Sequence, residues 1–189
     1  MTAARIKGAS MVQLVKALRR NKDAARSALP GSLHHYLDKR VHVGLWYPDD
    51  EAFQLMKAVA AVLPGGGQDP WILMGRASVT GHLDGVYKAS INDLLSSPEG
   101  VLRYADALWQ SIHDGGHLVF EADSPLTGSV ILRGYTPPGP ELCRLHGAYF
   151  EEVMRRAGHP FEELSKRDCV LRGADACRWR WLWKTPPPE

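Results

Sequence analysis

No stretch of this 189-residue chain approaches the ~18 consecutive apolar residues of a membrane-spanning helix, and its first residues hold no apolar run leading into a cleavage site. The expectation is a cytoplasmic protein without an integral membrane segment. Cysteine is scarce and odd in number, at positions 143, 169 and 177. That excludes a framework of paired disulfides and leaves reduced thiols that pack, react or bind metal. Enzyme signatures are missing too. "GGGQD" lacks the Lys and Ser/Thr of a phosphate-cradling loop, so it reads as a helix stop. There is no Gly-x-Ser-x-Gly elbow and no His-Glu-x-x-His pair. His34 and Asp38, one helical turn apart, read as a surface pair, and Glu151, Glu152, Glu162 and Glu163 as solvated carboxylates.

Net charge is also small, +2, and argues neither for nor against nucleic acid. It is unevenly spread: residues 1–26 hold seven basic side chains against Asp23 alone. Such a segment reads either as the solvated face of a first helix or as a contact for an acidic partner or membrane surface.

What is present is a core's worth of apolar residues, 44%, in a length that suits one domain. Residues 1–184 are expected to form it, with 185–189 as a disordered tail. In the first half, Met11, Leu14, Val15 and Leu18 recur at helical spacing and predict a helix over about 8–20. "LWYPDDEAFQLMKAVAAVLPGGG" predicts another, with Asp49 as its cap and Phe53, Met56, Ala60 and Leu63 as its apolar stripe. Asp69-Pro70 repeats the start signal for a long helix to about Leu95, whose Gly75, Gly81 and Gly85 imply close approach of another helix or a ligand. Ser97-Pro98-Glu99 opens one more helix.

The second half changes period. "GGHLVFEAD" and "GSVILRGY" read as a hairpin, "TPPGPELCRLHGAYFEEVMRRAGHP" as a helix bounded by prolines, and the stretch through Cys169 and Cys177 as a second hairpin. N-terminal helices followed by β-β-α-β-β make an α+β fold, an antiparallel sheet covered by helices. On the last strand Trp179, Trp181 and Trp183 share one face and Arg178 and Arg180 the other. Nucleic-acid platforms need rings and cations on the same face, so a buried aromatic face is expected and no nucleic-acid partner.

The cysteines carry the sharpest chemistry. Cys169 and Cys177 fall opposite each other if their turn has odd length, with Cα atoms ~4.5–5.5 Å apart. Cys143 lies in the first turn of its helix, where amide groups and the helix dipole favour a thiolate. Three converging thiols could hold zinc, given a fourth ligand; otherwise they are small buried apolar side chains.

Three stretches, "LWYPDDEAFQLMKAV", "GRASVTGHLDGVYKASINDLLSSPEGVLRYADALWQSIHDGG" and the ending "C…RGADACRWRWLW", resemble the 4-vinyl-reductase-like domains of a ligand-binding superfamily spanning NO signalling and Golgi transport. Within it the chain is most similar to an uncharacterised myxobacterial paralogous family of about 200 residues. The resemblance implies a non-enzymatic small-molecule-binding or sensing module, a homodimer, with an apolar pocket between helices and sheet. Aromatic bodies with a few polar tips suit such a pocket for a small hydrophobic or aromatic ligand, so Trp71, Tyr87, Trp109, His113, His117, Phe120 and Tyr135 are its candidate walls, each otherwise simple core. In the phenol-sensing branch three cysteines and a glutamate hold zinc. Cys143, Cys169 and Cys177 match the cysteines, but Lys166 stands at the glutamate's place. The heme branch uses a Tyr-x-Ser-x-Arg motif that this sequence lacks, so no heme is expected. The alternative is a protein-interaction adaptor with a filled core, similar to vesicle-tethering subunits; a third reading is an enzyme acting on a tetrapyrrole or lipid.

Overall fold

The computed structural model describes residues 4–63, 66–83 and 98–185. Seven α-helices stand among the described residues, α1 (Gly8–Arg19), α2 (Lys22–Ala28), α3 (His35–Asp38), α4 (Asp49–Val62), α5 (Pro70–Leu83), α6 (Pro98–Ile112) and α7 (Glu141–Arg156). Strands β1 (Arg5–Lys7) and β2 (Trp46–Pro48) pair with each other. The main sheet holds β3 (His117–Ala122), β4 (Thr127–Arg133), β5 (Glu163–Asp168) and β6 (Ala176–Leu182), in the order β3-β4-β6-β5 with every pair antiparallel. This is the α+β arrangement expected from the change of period. The continuation of α5 toward Leu95, Gly85, Tyr87 and residues 186–189 of the tail lie outside the described residues. No described helix is long and apolar enough to cross a membrane.

The helices form where their apolar spacing directs. α1 buries Met11, Val15 and Leu18 at helical intervals, against α4's Ala52, Leu55 and Val59. Asp69 caps α5 as expected, its carboxylate accepting the Trp71 amide at 2.9 Å. Asp49 does not cap α4. Pro48 is the residue before the helix, and Asp49, its first residue, is buried inside the domain. His34 and Asp38 also part company. The His34 ring bonds the Arg26 and Leu29 carbonyls, while Asp38 pairs with Lys22 and Arg26. Much of the basic leading segment is therefore structural: Arg5 meets Asp114, and Arg19 donates to the carbonyls of Tyr36 and Lys39 beside α3.

Two apolar cores result. One gathers α1 to α4 with Trp71 of α5; the other gathers α6, α7 and one face of the main sheet. Trp179, Trp181 and Trp183 all point into the second, while Arg178 and Arg180 face outward to Asp168, Glu121 and Asp123. α5 and α7 bring the halves together at Gly75. A Cβ there would sit 2.3 Å from the Leu145 carbonyl oxygen and 3.0 Å from Ala148 Cβ. Gly75→Ala would gain ~1 kcal/mol of helix propensity and lose ~1–3 kcal/mol to overpacking. A net fall in urea midpoint is the expected outcome, although alanine is the best helix former.

Candidate functional site

Between the two cores lies a cavity of about 70 Å³, lined by residues of α1, α4, α5, α6, α7 and β3. Its wall is apolar, from Ile112, Leu118, Phe120, Leu145 and Phe150, and is broken by a few polar groups. α6 carries Trp109 toward it, and the turn after α6 carries His113, whose amide continues the helical bonding to the Trp109 carbonyl at 2.8 Å. The Trp109 and His113 rings stack at 4.0 Å, with the edges of Tyr135 and His146 turned toward both. His82 enters from α5, bonded to Ser10 Oγ at 2.8 Å and to the Tyr149 hydroxyl at 3.4 Å.

Burial sets the charge state of these groups. It removes water from each imidazolium, so it holds His82 down to about 4, His146 to about 3 and His113 well below the ordinary range. Neighbouring histidines add to the effect at His113, and the Lys166 ammonium at His146. All three rings are neutral at pH 7, so each keeps a nitrogen lone pair. His113 Nδ1 is buried with no hydrogen-bond partner among the described residues, an uncommon condition that calls for a reason such as a ligand. Asp49 accepts the Tyr135 hydroxyl, and burial pushes its carboxyl up to about 6 despite that bond.

Four of the residues expected as walls, Trp109, His113, Phe120 and Tyr135, line this one cavity. Trp71 packs on Phe53 in the first core, at 5.6 Å between ring centres. His117 lies exposed on β3 and bonds Asp106 at 3.1 Å. Sequence reasoning missed His82, His146 and Asp49. His146 carried a usable signal: it lies three residues after Cys143 on α7, hence on the same helix face.

The three thiols do converge. Cys143 and Cys169 Sγ lie 3.6 Å apart, Cys169 and Cys177 Sγ 3.8 Å, and all three within 4.8 Å. Local backbone explains it. The β5–β6 pairing shifts register between Lys166, opposite Trp179, and Asp168, opposite Arg178, so Cys169 and Cys177 come next. Between them a single 3₁₀ turn ends at Gly173, whose φ of +88° lies in the left-handed region that glycine enters freely. α7 lays Cys143 over the pair. Lys166 Nζ lies buried without a hydrogen-bond partner among the described residues, 3.3 Å from the centre of the Trp179 ring.

No protein-family model matches the sequence, and no curated protein matches it. Solved structures do. An H-NOX protein from S. oneidensis, in an Fe(II)NO state, superposes over 95% of this chain and 99% of its own, with a TM-score of 0.67 and 13% identity. An oxygen-binding H-NOX domain related to soluble guanylate cyclases, in its oxygen complex, covers 97% of both chains at a TM-score of 0.62 and 14% identity. A third, from work on heme distortion in the H-NOX family, covers 97% of both at 0.63 and 14%.

This chain has the H-NOX fold.

That finding overturns the resemblance to 4-vinyl-reductase-like domains, since the solved neighbours are H-NOX domains over nearly the whole chain. It also overturns the expectation of no heme, because heme is the subject of work on such neighbours. A missing five-residue motif was too local a ground for that exclusion. The cavity fits a heme in its donors: a buried neutral histidine is a residue that haem iron takes as an axial ligand. Its room fits a compact ligand, because pockets for larger molecules run to ~300–1,000 Å³ against 70 Å³ here.

Proposed function

We propose that the chain is a ligand-binding sensor module whose ligand occupies the cavity beside His113. The observation that carries this reading is His113 Nδ1, buried, neutral and unpartnered in an apolar chamber. A buried polar nitrogen without a partner costs ~1–3 kcal/mol, and a ligand that accepts from it as N–H, or donates or binds a metal to it as a lone pair, would recover that cost. The chamber also speaks against the adaptor alternative, which needs a filled core. The homodimer once implied by the resemblance rests now on apolar side chains left exposed, Val43, Leu45 and Tyr104; light scattering at twice 20.9 kDa would support it and a mass of 20.9 kDa would remove it.

A second, sharper reading is heme. The neighbours favour it, and His113 is the residue that would hold the iron; heme would supply a site for a diatomic gas. Hemin titrated into the purified chain tests both readings together with a panel of small apolar compounds. The expected result is one equivalent bound, by an intense visible band for hemin or a rise in Tm for another compound. Binding should disappear in His113→Phe, which removes the acceptor, and in Ala105→Leu, which fills the chamber from α6 while keeping the helix. A heme band that survives His113→Phe would move the ligand role to His82 or His146. No response to hemin or any compound would favour the adaptor.

A further inference from the structure

We propose a second binding site, in the groove between α1 and α5, for a medium-chain fatty-acid carboxylate. The groove measures about 490 Å³ and has α4 as its floor, which puts it inside the ~300–1,000 Å³ range of small-molecule sites. It uses a face of α5 beside the one that lines the His113 cavity. Among the described residues Ser78 alone is common to both linings, so the two spaces are separate.

The residues on α5 explain why the space is there. Ala77 and Gly81, one turn apart, put no bulk into it. Gln13 of α1 packs over Gly81 at one end, its Cγ 3.4 Å from where a Cβ would stand. From Gln13 the lining follows α1 to Arg20, seven residues or about 10 Å of helix axis, the length of a medium alkyl chain. Ala17, Val59, Leu63 and Met74 make the walls apolar, and Leu63 is left 40% exposed. An alkyl chain laid along these walls takes apolar surface of both partners out of water.

The charge on the rim selects the head group. Lys16 and Arg20 stand one turn apart on α1 and so share a face. No carboxylate lines the groove, and neither cation has an ion-pair partner, among the described residues. Arg19 beside them is already bonded to the Tyr36 and Lys39 carbonyls. The hydroxyls at the groove are engaged as well: Ser78 donates to the Met74 carbonyl at 2.8 Å, and Thr80 accepts from Arg156. A neutral polar head therefore finds few free partners, and an ammonium head is repelled. A carboxylate fits, because the planar fork of Arg20 can take both of its oxygens while Lys16 adds a point charge. The part of the basic leading segment that the fold leaves unpaired thus meets its acid as a small molecule.

The test is calorimetric titration of the full chain with hexanoate, octanoate and decanoate, each below its micelle concentration. One decanoate per chain should bind, with affinity rising about two- to fourfold per methylene along the series. Decylammonium should bind at least tenfold more weakly than decanoate. Lys16→Glu combined with Arg20→Glu should reverse that order; both side chains are exposed, so the fold should tolerate the change. Lys16→Gln with Arg20→Gln, an uncharged rim, should bind the two amphiphiles nearly alike. Ala105→Leu, which fills the His113 cavity, should leave decanoate binding unchanged, so this proposal and the sensor reading fail separately. No decanoate uptake, decylammonium as tight as decanoate, an affinity indifferent to the rim charge, or loss of decanoate in Ala105→Leu would each overturn the proposal. Binding to anionic phospholipid vesicles without binding of monomeric decanoate would overturn it in favour of a membrane contact. A dimer by light scattering that the Lys16→Glu, Arg20→Glu chain cannot form would overturn it in favour of a contact between copies.

Discussion

Acidification from pH 6.5 to 5 is expected to destabilise the domain by about 3–4 kcal/mol. The cause is the three buried imidazoles. An unfolded histidine titrates near ~6.5, whereas His82 and His146 are held to about 4 and 3 and His113 well below its ordinary range. Below pH 6.5 the unfolded chain therefore binds about three protons that the native chain refuses, so stability falls as pH falls. Asp49 works the other way. Its carboxyl is raised to about 6 in the fold, so between pH 4 and 6 the native chain holds a proton that the unfolded chain releases. The balance is a net uptake of about two protons on unfolding near pH 5, or roughly 3 kcal/mol per pH unit. Against a typical total of ~5–15 kcal/mol this is a large share. Urea unfolding from pH 8 to 5 measures it. His146→Met should reduce the slope by about one proton, and a stability independent of pH between 7 and 5 would refute the neutral-imidazole assignment.

Trp179→Ala should cost about 3–5 kcal/mol, the range for removing a buried tryptophan. Trp179 is 2% exposed, its indole donates to the Cys143 carbonyl at 3.2 Å, and its ring meets Phe150 edge-on at 5.2 Å. Its other role is electrostatic. The Lys166 ammonium rests 3.3 Å above the ring without a hydrogen-bond partner among the described residues, and such a desolvated cation–π contact contributes ~2 kcal/mol. Truncation thus leaves a cavity and an unpaired buried cation at once. Trp179→Phe keeps a ring beneath the ammonium and should recover more than half of the loss. Lys166→Met in the Trp179→Ala background should recover part of it too, since the stranded charge is gone. Urea midpoints of the three variants separate the cavity from the charge; equal losses for alanine and phenylalanine would show that the ring face does nothing.

The legible part of this fold was its periodicity. Alternation in "GSVILRGY" and in the Trp179–Trp181–Trp183 row marks strands whose buried faces need no knowledge of the partner. The stripe Met11, Val15, Leu18 marks α1 in the same way. Strand order, β3-β4-β6-β5, is set by contacts between distant residues and has no local signature. The cysteine trio was readable because hairpin register is local for two of its members. Asp49 was misjudged for the opposite reason. An aspartate before an apolar run looks like a cap, and nothing nearby says that a tyrosine 86 residues away will claim its carboxylate. The three buried histidines come from α5, the turn after α6, and α7, so only tertiary packing makes them one chamber. Family assignment failed where identity is lowest: at 13–16% the shared H-NOX architecture survives in backbone, not in motifs.

Native mass spectrometry, run beside denaturing mass spectrometry on the same sample, tests the sensor account most directly. After incubation with hemin or with the apolar compound giving the largest thermal response, the account predicts one non-covalent ligand per 20.9 kDa chain. That added mass should vanish on denaturation and be absent in Ala105→Leu. A native spectrum showing only the bare chain, or equal adducts on the wild-type chain and Ala105→Leu, would contradict it.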